Sequence, residues 1–260
     1  MKIATWNING IKARIDGLCA WLADAEPDIA CLQEIKSLDE TFPAGPIEAL
    51  GYNVVTHGQK GFNGVAILSK APLDEFNPGL PGDPGDEQAR FLEGVVSTEG
   101  GVIRIACAYM PNGNPLGTGK YDYKLAWMRR LETWLATRLR FEEPLVLVGD
   151  FNIIPESEDV RYPEKWLDDA LYQPEIRQCY RRLKALGLTD AVRAVEGGGE
   201  VCTFWDYQAG AWQKNNGIRI DHILLSPEGA DRLEAAGIDK HVRAWEKPSD
   251  HVPVWIDLRH

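Results

Sequence analysis

The stretch LVLVGDFN at 145–152 runs four apolar residues into Gly149 and then presents Asp150 and Asn152, two polar side chains one residue apart. Strand side chains alternate between faces, so positions i and i+2 point the same way. Asp150 and Asn152 are therefore expected to share the exposed end of a buried strand. The pattern recurs. ATWNING brings Asn7 and Asn9 to a strand end, CLQE places Glu34 just past a buried strand, NGIRID sets Asp221 inside an apolar one, and PSDH puts Asp250 and His251 ahead of VPVWIDL. Each alone suits a turn cap, an ordinary duty of Asp and Asn beside glycine. Together they form a chemical set. If these strand ends converge, several carboxylates share a small volume, and like charges in a cleft are costly. A hard divalent cation relieves that cost, and Asp, Glu and Asn oxygens are what magnesium accepts. No Cys cluster or HxxxH spacing points to zinc, and His251 supplies one imidazole with a carboxylate to orient it.

The elements that must position these residues are legible in outline. Short β-rich apolar runs recur along the chain: KIATWNI, DIACLQE, NVVTHG, GVAILSK, RFLEGVVS, VIRIACAYM, PLVLVGDFN, RIDHILLS and HVPVWIDL. Helical patterns lie between several of them. The strongest spans 122–139, where Leu125, Met128, Leu131, Leu135 and Leu139 repeat at three and four residues and mark one buried face. Others are expected at 13–25, 175–186 and 229–236. Runs such as LVLVG and IACLQ are apolar on both faces, which implies helices covering sheet on each side. Alternating strands imply antiparallel pairing as well. The expectation is an α/β fold of two packed mixed sheets with helices outside. No linker or repeat divides the chain, so residues 1–260 are read as a single domain, and the Pro/Gly-rich NPGLPGDPGDE at 77–87 as a surface loop.

Composition narrows the class. With 44% hydrophobic and 26% charged residues, the 260-residue chain is ordinary for a soluble globular protein. The N-terminal MKIATWNINGIKARIDG lacks the apolar core of a signal peptide, and no run approaches the roughly 18 apolar residues of a membrane span. The five cysteines are odd in number and scattered, as in a reduced, cytoplasmic protein. A net charge of −11 argues on its face against nucleic acid. The objection is weak, because a bound cation reverses the local sign where phosphate is held.

At these residues the sequence resembles the exonuclease III family of abasic-site endonucleases. WNING, LQEIK, GVAILSK, YMPNGN, GDFN, TFWDY, NGIRIDH and SDHVPVW follow one another in the family's order across nearly the whole chain. The wider superfamily, which includes deoxyribonuclease I and inositol polyphosphate 5-phosphatases, shares the Asn, Glu, Asp-x-Asn and Asp-His elements but not TFWDY and NGIRID. The resemblance implies a four-layered α/β sandwich of two packed mixed β-sheets flanked by helices, deoxyribonuclease I-like. It implies Glu34 as the main magnesium ligand, Asn7 beside it and Asp250 as a further one, with Asp150, Asn152 and His251 around the ion and manganese as a substitute. It implies Asp150 as the residue that orients or deprotonates water or protonates the leaving oxygen, Asn152 and Tyr109 as donors to the scissile phosphate, and His251, oriented by Asp221, as charge stabiliser or base. Phe204, Ile218 and Ile220 match a pocket for a flipped abasic sugar. Arg90 and Asn112 match substrate contacts. The implied partner is double-stranded DNA with abasic sites or 3′ ends, acted on by a monomer with no membrane attachment.

Residue chemistry agrees with that implication, since phosphodiester hydrolysis needs nonbridging oxygens neutralised, a water activated and an alkoxide stabilised. A phosphatase of the same superfamily is the competing enzyme reading, and the small apolar pocket speaks against a polyphosphorylated ring. A DNA-binding module that lost catalysis would lack Glu34, Asp150 or His251, and all are present. Two positions depart from the family: Ile35 stands beside Glu34, and His222, a strand neighbour of Asp221, is expected to face away from it and pack. QKGFNG at 59–64 is read as a glycine-bounded turn exposing Phe62, a plain hairpin or a wedge into a DNA groove. KYDYK at 120–124 interleaves aromatics and lysines, which suits backbone contact and stacking or a solvated helix start.

Overall fold

The computed structural model describes residues 1–98, 100–199 and 201–259. Its strands are β1 (Lys2–Asn7), β2 (Ile29–Gln33), β3 (Asn53–His57), β4 (Val65–Ser69), β5 (Glu75–Pro78), β6 (Phe91–Thr98), β7 (Gly101–Tyr109), β8 (Leu145–Asp150), β9 (Thr189–Asp190), β10 (Asp221–Leu225), β11 (Leu233–Ile238) and β12 (Val254–Leu258). The α-helices are α1 (Ile11–Ala25), α2 (Ala44–Glu48), α3 (Gly119–Arg138), α4 (Pro174–Ala185), α5 (Ala191–Glu196) and α6 (Pro227–Ala230). Two six-stranded sheets form, in the orders β11-β12-β1-β2-β4-β3 and β5-β6-β7-β8-β10-β9. Each is mixed, with one parallel pair, β1 with β2 and β7 with β8, among antiparallel neighbours.

The layering follows from which side of each strand is apolar. Ile3, Cys31 and Ile67 of one sheet meet Ile105, Val146, Val148 and Ile223 of the other in a core between the sheets. Ala4, Leu32 and Leu68, one residue out of phase, pack under Leu18, Trp21 and Leu22 of α1. Ala106, Leu147 and Leu224 likewise pack under Trp127, Met128 and Leu131 of α3 and Tyr180 and Leu183 of α4. The result is the expected four-layered sandwich. Removing each large apolar side chain from water contributes about 1.5–3 kcal/mol, and strands apolar on both faces are what this layering requires.

The helices at 122–139, 13–25 and 175–186 are present within a few residues. The expected helix at 229–236 is not. Residues 233–238 form β11, an edge strand paired antiparallel to β12 with a bulge between Leu233 and Ala235. Pairing with β12 overrides the helical leaning of RLEAA, and Gly237 lies against Trp255 so closely that a Cβ there would stand 2.5 Å from its ring. Residues 77–87 begin inside β5 and then form a loop whose Asp86 pairs with Arg130 at 2.6 Å.

Candidate active site

Three strands of one sheet end in a row. Tyr109 of β7 is in register with Asp150 of β8, and Asp150 is in register with Asp221 of β10. From the facing sheet, Asn7 ends β1 and Glu34 follows β2. His251 precedes β12 and is bridged to Phe204, which in turn is bridged to Ile218. The polar strand ends anticipated from sequence therefore converge from both sheets. They line a cleft of about 250 Å³ whose walls include Glu34, Tyr109, Asn112, Asp150, Asn152, Phe204, Ile218, Ile220, Asp250 and His251.

Strand alternation is not what brings Asn152 beside Asp150. β8 ends at Asp150, and Asn152 takes a left-handed backbone with φ 49°, as Asn9 does with φ 47°. In both turns the first side chain caps the second residue's N–H: Asn152 N donates to Asp150 Oδ1 at 2.8 Å and Asn9 N to Asn7 Oδ1 at 3.0 Å. The turn-capping role and the cleft role thus coincide. Gly149 permits the approach, for with φ 146° a Cβ there would fall onto the Ala108 carbonyl oxygen of β7.

One amide joins the two carboxylates. Asn7 Nδ2 donates to Glu34 Oε1 and to Asp150 Oδ2, each at 2.9 Å. Its Oδ1 accepts from the Asn9 N–H, and Asn7 bridges the two carboxylates through its N–H groups. Burial pushes the Glu34 carboxyl up, but hydrogen bonds from Asn7 and Lys36, the Lys36 charge and the Tyr109 hydroxyl outweigh it and hold Glu34 below the usual range. The same carboxylates, after burial itself, push the Tyr109 phenol well above its ordinary value. Asp250 Oδ1 accepts from Asn9 Nδ2 at 3.0 Å and from Ser249 at 3.3 Å, while its Oδ2 accepts no hydrogen bond from the described residues.

Asp150 and His251 answer each other. Burial lifts the Asp150 carboxyl to about 7, opposed by the His251 charge and reinforced by Asp221. Burial acts against charge on His251, but Asp221 and Asp150 override it and raise the ring to about 10. His251 Nδ1 lies 2.8 Å from Asp221 Oδ2, and Nε2 lies 3.7 Å from Asp150 Oδ2. Ligand atoms of Asp150, Asp221 and His251 fall within 4.8 Å of one another, close enough for a shared ion. With Nδ1 on Asp221 and Nε2 toward Asp150, the His251 ring sets a positive charge between the two carboxylates when protonated. Asn152 Oδ1 accepts from Asn112 Nδ2 at 3.1 Å, and its Nδ2 donates to Met110 O at 2.9 Å. That leaves Asn152 a second N–H as a donor and a second lone pair on its amide oxygen.

The apolar wall has a hidden support. Between Ile218 and Ile220 the buried Arg219 turns the other way and grips Asp159 at 2.6 Å and Asp190 at 2.9 Å. His222 joins that network through Arg219 at 3.1 Å and Ile153 O at 3.0 Å, facing away from the cleft as expected. Burial and the Arg219 charge pull His222 down to about 4. Ile35 is equally remote, packed on Gly64. Phe204 meets His251 edge-on, with centroids 4.9 Å apart. Arg90 stacks over the Tyr109 ring at 4.8 Å. Phe62 is 70% exposed and takes no part in lining the cleft.

Sequence reasoning missed several residues. Trp166, Asp169, Leu171, Asn114 and Asp206 also line the cleft; Asn114 and Asp206 lie within YMPNGN and TFWDY, and nothing in the local sequence marks the other three. Ser249 had a signal in PSDH: its hydroxyl donates to Asn7 O at 2.7 Å and accepts from His251 N at 3.2 Å, tying the two sheets' contributions together. KYDYK opens α3 with Lys120 and Asp122 exposed, as a solvated helix start requires, while its other residues turn to the protein. Tyr123 bonds Asp86, Tyr121 bonds Glu175, and Lys124 is fully buried beneath the cleft. Burial draws the Lys124 ammonium down to about 7 against the pull of Asp150 and Asp169.

Known proteins resemble this chain in sequence and fold. Residues 4–251 match the Endonuclease/Exonuclease/phosphatase family. The chain is 36% identical to exodeoxyribonuclease III of Haemophilus influenzae, with both chains covered completely. It superposes with a TM-score of 0.96 and 38% identity on a Neisseria 3′ phosphatase bound to a product DNA hairpin, and with 0.94 and 35% on an AP endonuclease from Archaeoglobus fulgidus, again over the full length of each. The chain belongs to the endonuclease/exonuclease/phosphatase family, in its exonuclease III group of abasic-site endonucleases.

Proposed function

We propose that this protein is a DNA repair nuclease that hydrolyses the phosphodiester 5′ to abasic sites and trims or cleans 3′ ends of duplex DNA. The observation that supports it best is the junction of the Tyr109, Asp150 and Asp221 row with Glu34 and His251 at a cleft walled by Phe204, Ile218 and Ile220. A phosphodiester needs charge neutralisation and proton transfer, and a bare deoxyribose needs a small apolar recess. Both are adjacent here.

The donor set fits a hard divalent cation. Glu34 and Asp250 offer carboxylate oxygens at the cleft, no cysteine is among its described lining residues, and Lys36 already sets a positive charge 2.9 Å from Glu34 Oε2. Magnesium, with manganese as substitute, would be held by Glu34 and Asp250. When bound it supplies a Lewis acid for the phosphate oxygens.

The protein's own groups do the rest. Asp150, poised near neutrality, takes the proton of the attacking water, and Asn7 and the Asn152 N–H fix its two oxygens. The His251 imidazolium, held by Asp221, faces the negative charge that develops on the phosphate oxygens. Tyr109 and the second N–H of Asn152 donate to these oxygens, and stabilisation of this kind is the main contribution at such sites. Arg90 and Asn112 flank the scissile bond, and Phe62 stands apart on its loop as an exposed contact for the duplex. The whole chain acts as one catalytic domain, as a monomer in the cytoplasm. No described helix is long and apolar enough to cross a membrane.

The test compares a duplex carrying a single abasic analogue with undamaged blunt and 3′-phosphate duplexes, each with magnesium and with chelator. Cleavage 5′ to the abasic site and release of 3′ groups, both abolished by chelator, are expected. Inactivity on all DNA substrates with turnover of inositol phosphates would overturn the reading.

A further inference from the structure

Lys124 is a fully buried cation in the second turn of α3, and its Nζ faces backbone only. It donates to Asn112 O at 2.9 Å, Asn152 O at 2.6 Å and Ala170 O at 3.2 Å. Three carbonyls around one nitrogen match the three N–H groups of an ammonium. These carbonyls come from three separate segments, following β7, following β8 and preceding α4. Each segment sends side chains into the cleft: Asn112 and Asn114 from the first, Asn152 from the second, Asp169 and Leu171 from the third.

The segments are also built around the lysine stem. Gly113 has φ 90°, and a Cβ there would come within 2.8 Å of Lys124 Cδ and 3.2 Å of Ala170 Cβ. Above the ammonium, Asn112 Nδ2 bonds Asn152 Oδ1 at 3.1 Å, and Asn114 bonds Asp169 Oδ1 at 3.1 Å and the Ala170 N–H at 3.0 Å. The upper contacts set how the side chains sit relative to one another. The lower contact, at Lys124, sets where all three backbones stand relative to α3. Loops are ordinarily the mobile parts of a fold, and here three of them share one fixed point.

We infer that Lys124 is a positioning residue for the reaction, the common anchor that holds Asn112 and Asn152 at the scissile phosphate. The inference rests on the nuclease reading above. It acts through these residues and touches no substrate. Losing it should lower turnover while leaving duplex capture nearly intact, because Phe62, Arg90 and the Phe204, Ile218 and Ile220 wall lie outside the three segments.

The experiment measures kcat and KM on abasic duplex for wild type, K124M, N112A and the double variant, with melting temperatures in parallel. K124M is expected to lose roughly thirtyfold or more in kcat with KM within threefold of wild type, the scale of a lost transition-state donor. N112A is expected to cost much less in the K124M background than in wild type, since an unanchored Asn112 is already misplaced. K124M with wild-type kcat, or losses that simply multiply in the double variant, overturns the inference. If K124M does not fold, K124R decides: its planar fork cannot serve three carbonyls from one point, so about tenfold lower kcat at unchanged KM supports the anchor, and wild-type kcat overturns it. Wild type inactive on abasic and 3′-phosphate duplexes overturns the functional reading, whereas active wild type with an unimpaired lysine variant overturns this inference alone.

Discussion

Asp221→Asn separates an oriented imidazolium from a merely buried histidine, because the amide keeps the carboxylate's shape and removes its charge. Asp221 is fully buried and meets His251 Nδ1 at 2.8 and 3.1 Å through its two oxygens. Its surroundings raise His251 from 6.5 to about 10, which at about 1.36 kcal/mol per pH unit is roughly 5 kcal/mol in favour of the charged ring. Burial opposes that charge, and Asp221 is the foremost of the carboxylates that overcome it. A hydrogen bond to a charged group is worth about 1.5–3 kcal/mol net. The variant's ring should therefore titrate one to two pH units lower, at about 8 to 9, and turnover should fall by roughly 10- to 150-fold if the imidazolium stabilises the transition state. Because the folded pKa lies above the unfolded one, the stability His251 contributes is fully present below 6.5 and is lost as pH rises through about 10. The stability gap between wild type and variant should narrow in alkali accordingly. Imidazole resonances of the metal-free protein in chelator report the titration, and kcat on abasic duplex with magnesium reports the chemistry. An unchanged midpoint together with turnover within twofold of wild type would refute the reasoning.

Four further outcomes are expected. Glu34→Gln should abolish most metal-dependent cleavage while leaving the melting temperature close to wild type, and full cleavage by the variant, or by wild type in excess chelator, would remove the cation from the scheme. Asp150→Asn and His251→Asn should each cost on the order of a hundredfold in kcat and combine far less than multiplicatively; modest, independent losses would make both residues structural. Phe204→Ala should erode discrimination between abasic and intact duplex more than cleavage of abasic DNA itself, because flipping an intact nucleotide costs a few kcal/mol more to begin with; equal losses would mean that its edge contact with His251 is its main role. Finally, His222 is held near 4 against an unfolded 6.5, so the unfolded chain takes up a proton first and stability should decline as pH falls from 6.5 toward 4, by about 3 kcal/mol. Urea unfolding should show a steeper decline for wild type than for His222→Gln.

The strand-end carboxylates were legible because each of them breaks or bounds an apolar strand run. Asp150, Glu34, Asp221 and the Asp250–His251 pair all stand where expected, and two mixed sheets follow from strands such as LVLVG that are apolar on both faces. What sequence misjudged depends on partners far along the chain. The second half of the 229–236 segment joins β11 because β12 offers an edge to pair with. Lys124 looks like a solvated lysine until Asn112, Asn152 and Ala170 close over it. The tie between Glu34 and Asp150 is nonlocal too, since the Asn7 amide joins carboxylates 27 and 143 residues along the chain. Trp166 and Leu171 reach the site from a segment with no motif at all.

The site also explains how an acidic chain can act on a polyanion. Asp150 and Asp221 are nearly or fully buried on adjacent strands in direct register, an arrangement that mutual repulsion and desolvation both oppose. Two devices offset it on the protein's side, the His251 ring between them and the Asn7 amide that ties Asp150 to Glu34. Both lie in segments of the facing sheet, so the cluster exists only when the two sheets are packed. On the Glu34 and Asp250 side the compensation is thinner, a partly exposed Lys36 and a carboxylate oxygen without a hydrogen bond among the described residues. That is the side on which a cation gains most, and a cation placed there presents positive charge to an incoming phosphate. The net charge of −11 therefore sets the demand for the ion, and the ion, with the imidazolium, makes the cleft attractive to DNA where the surface as a whole is not.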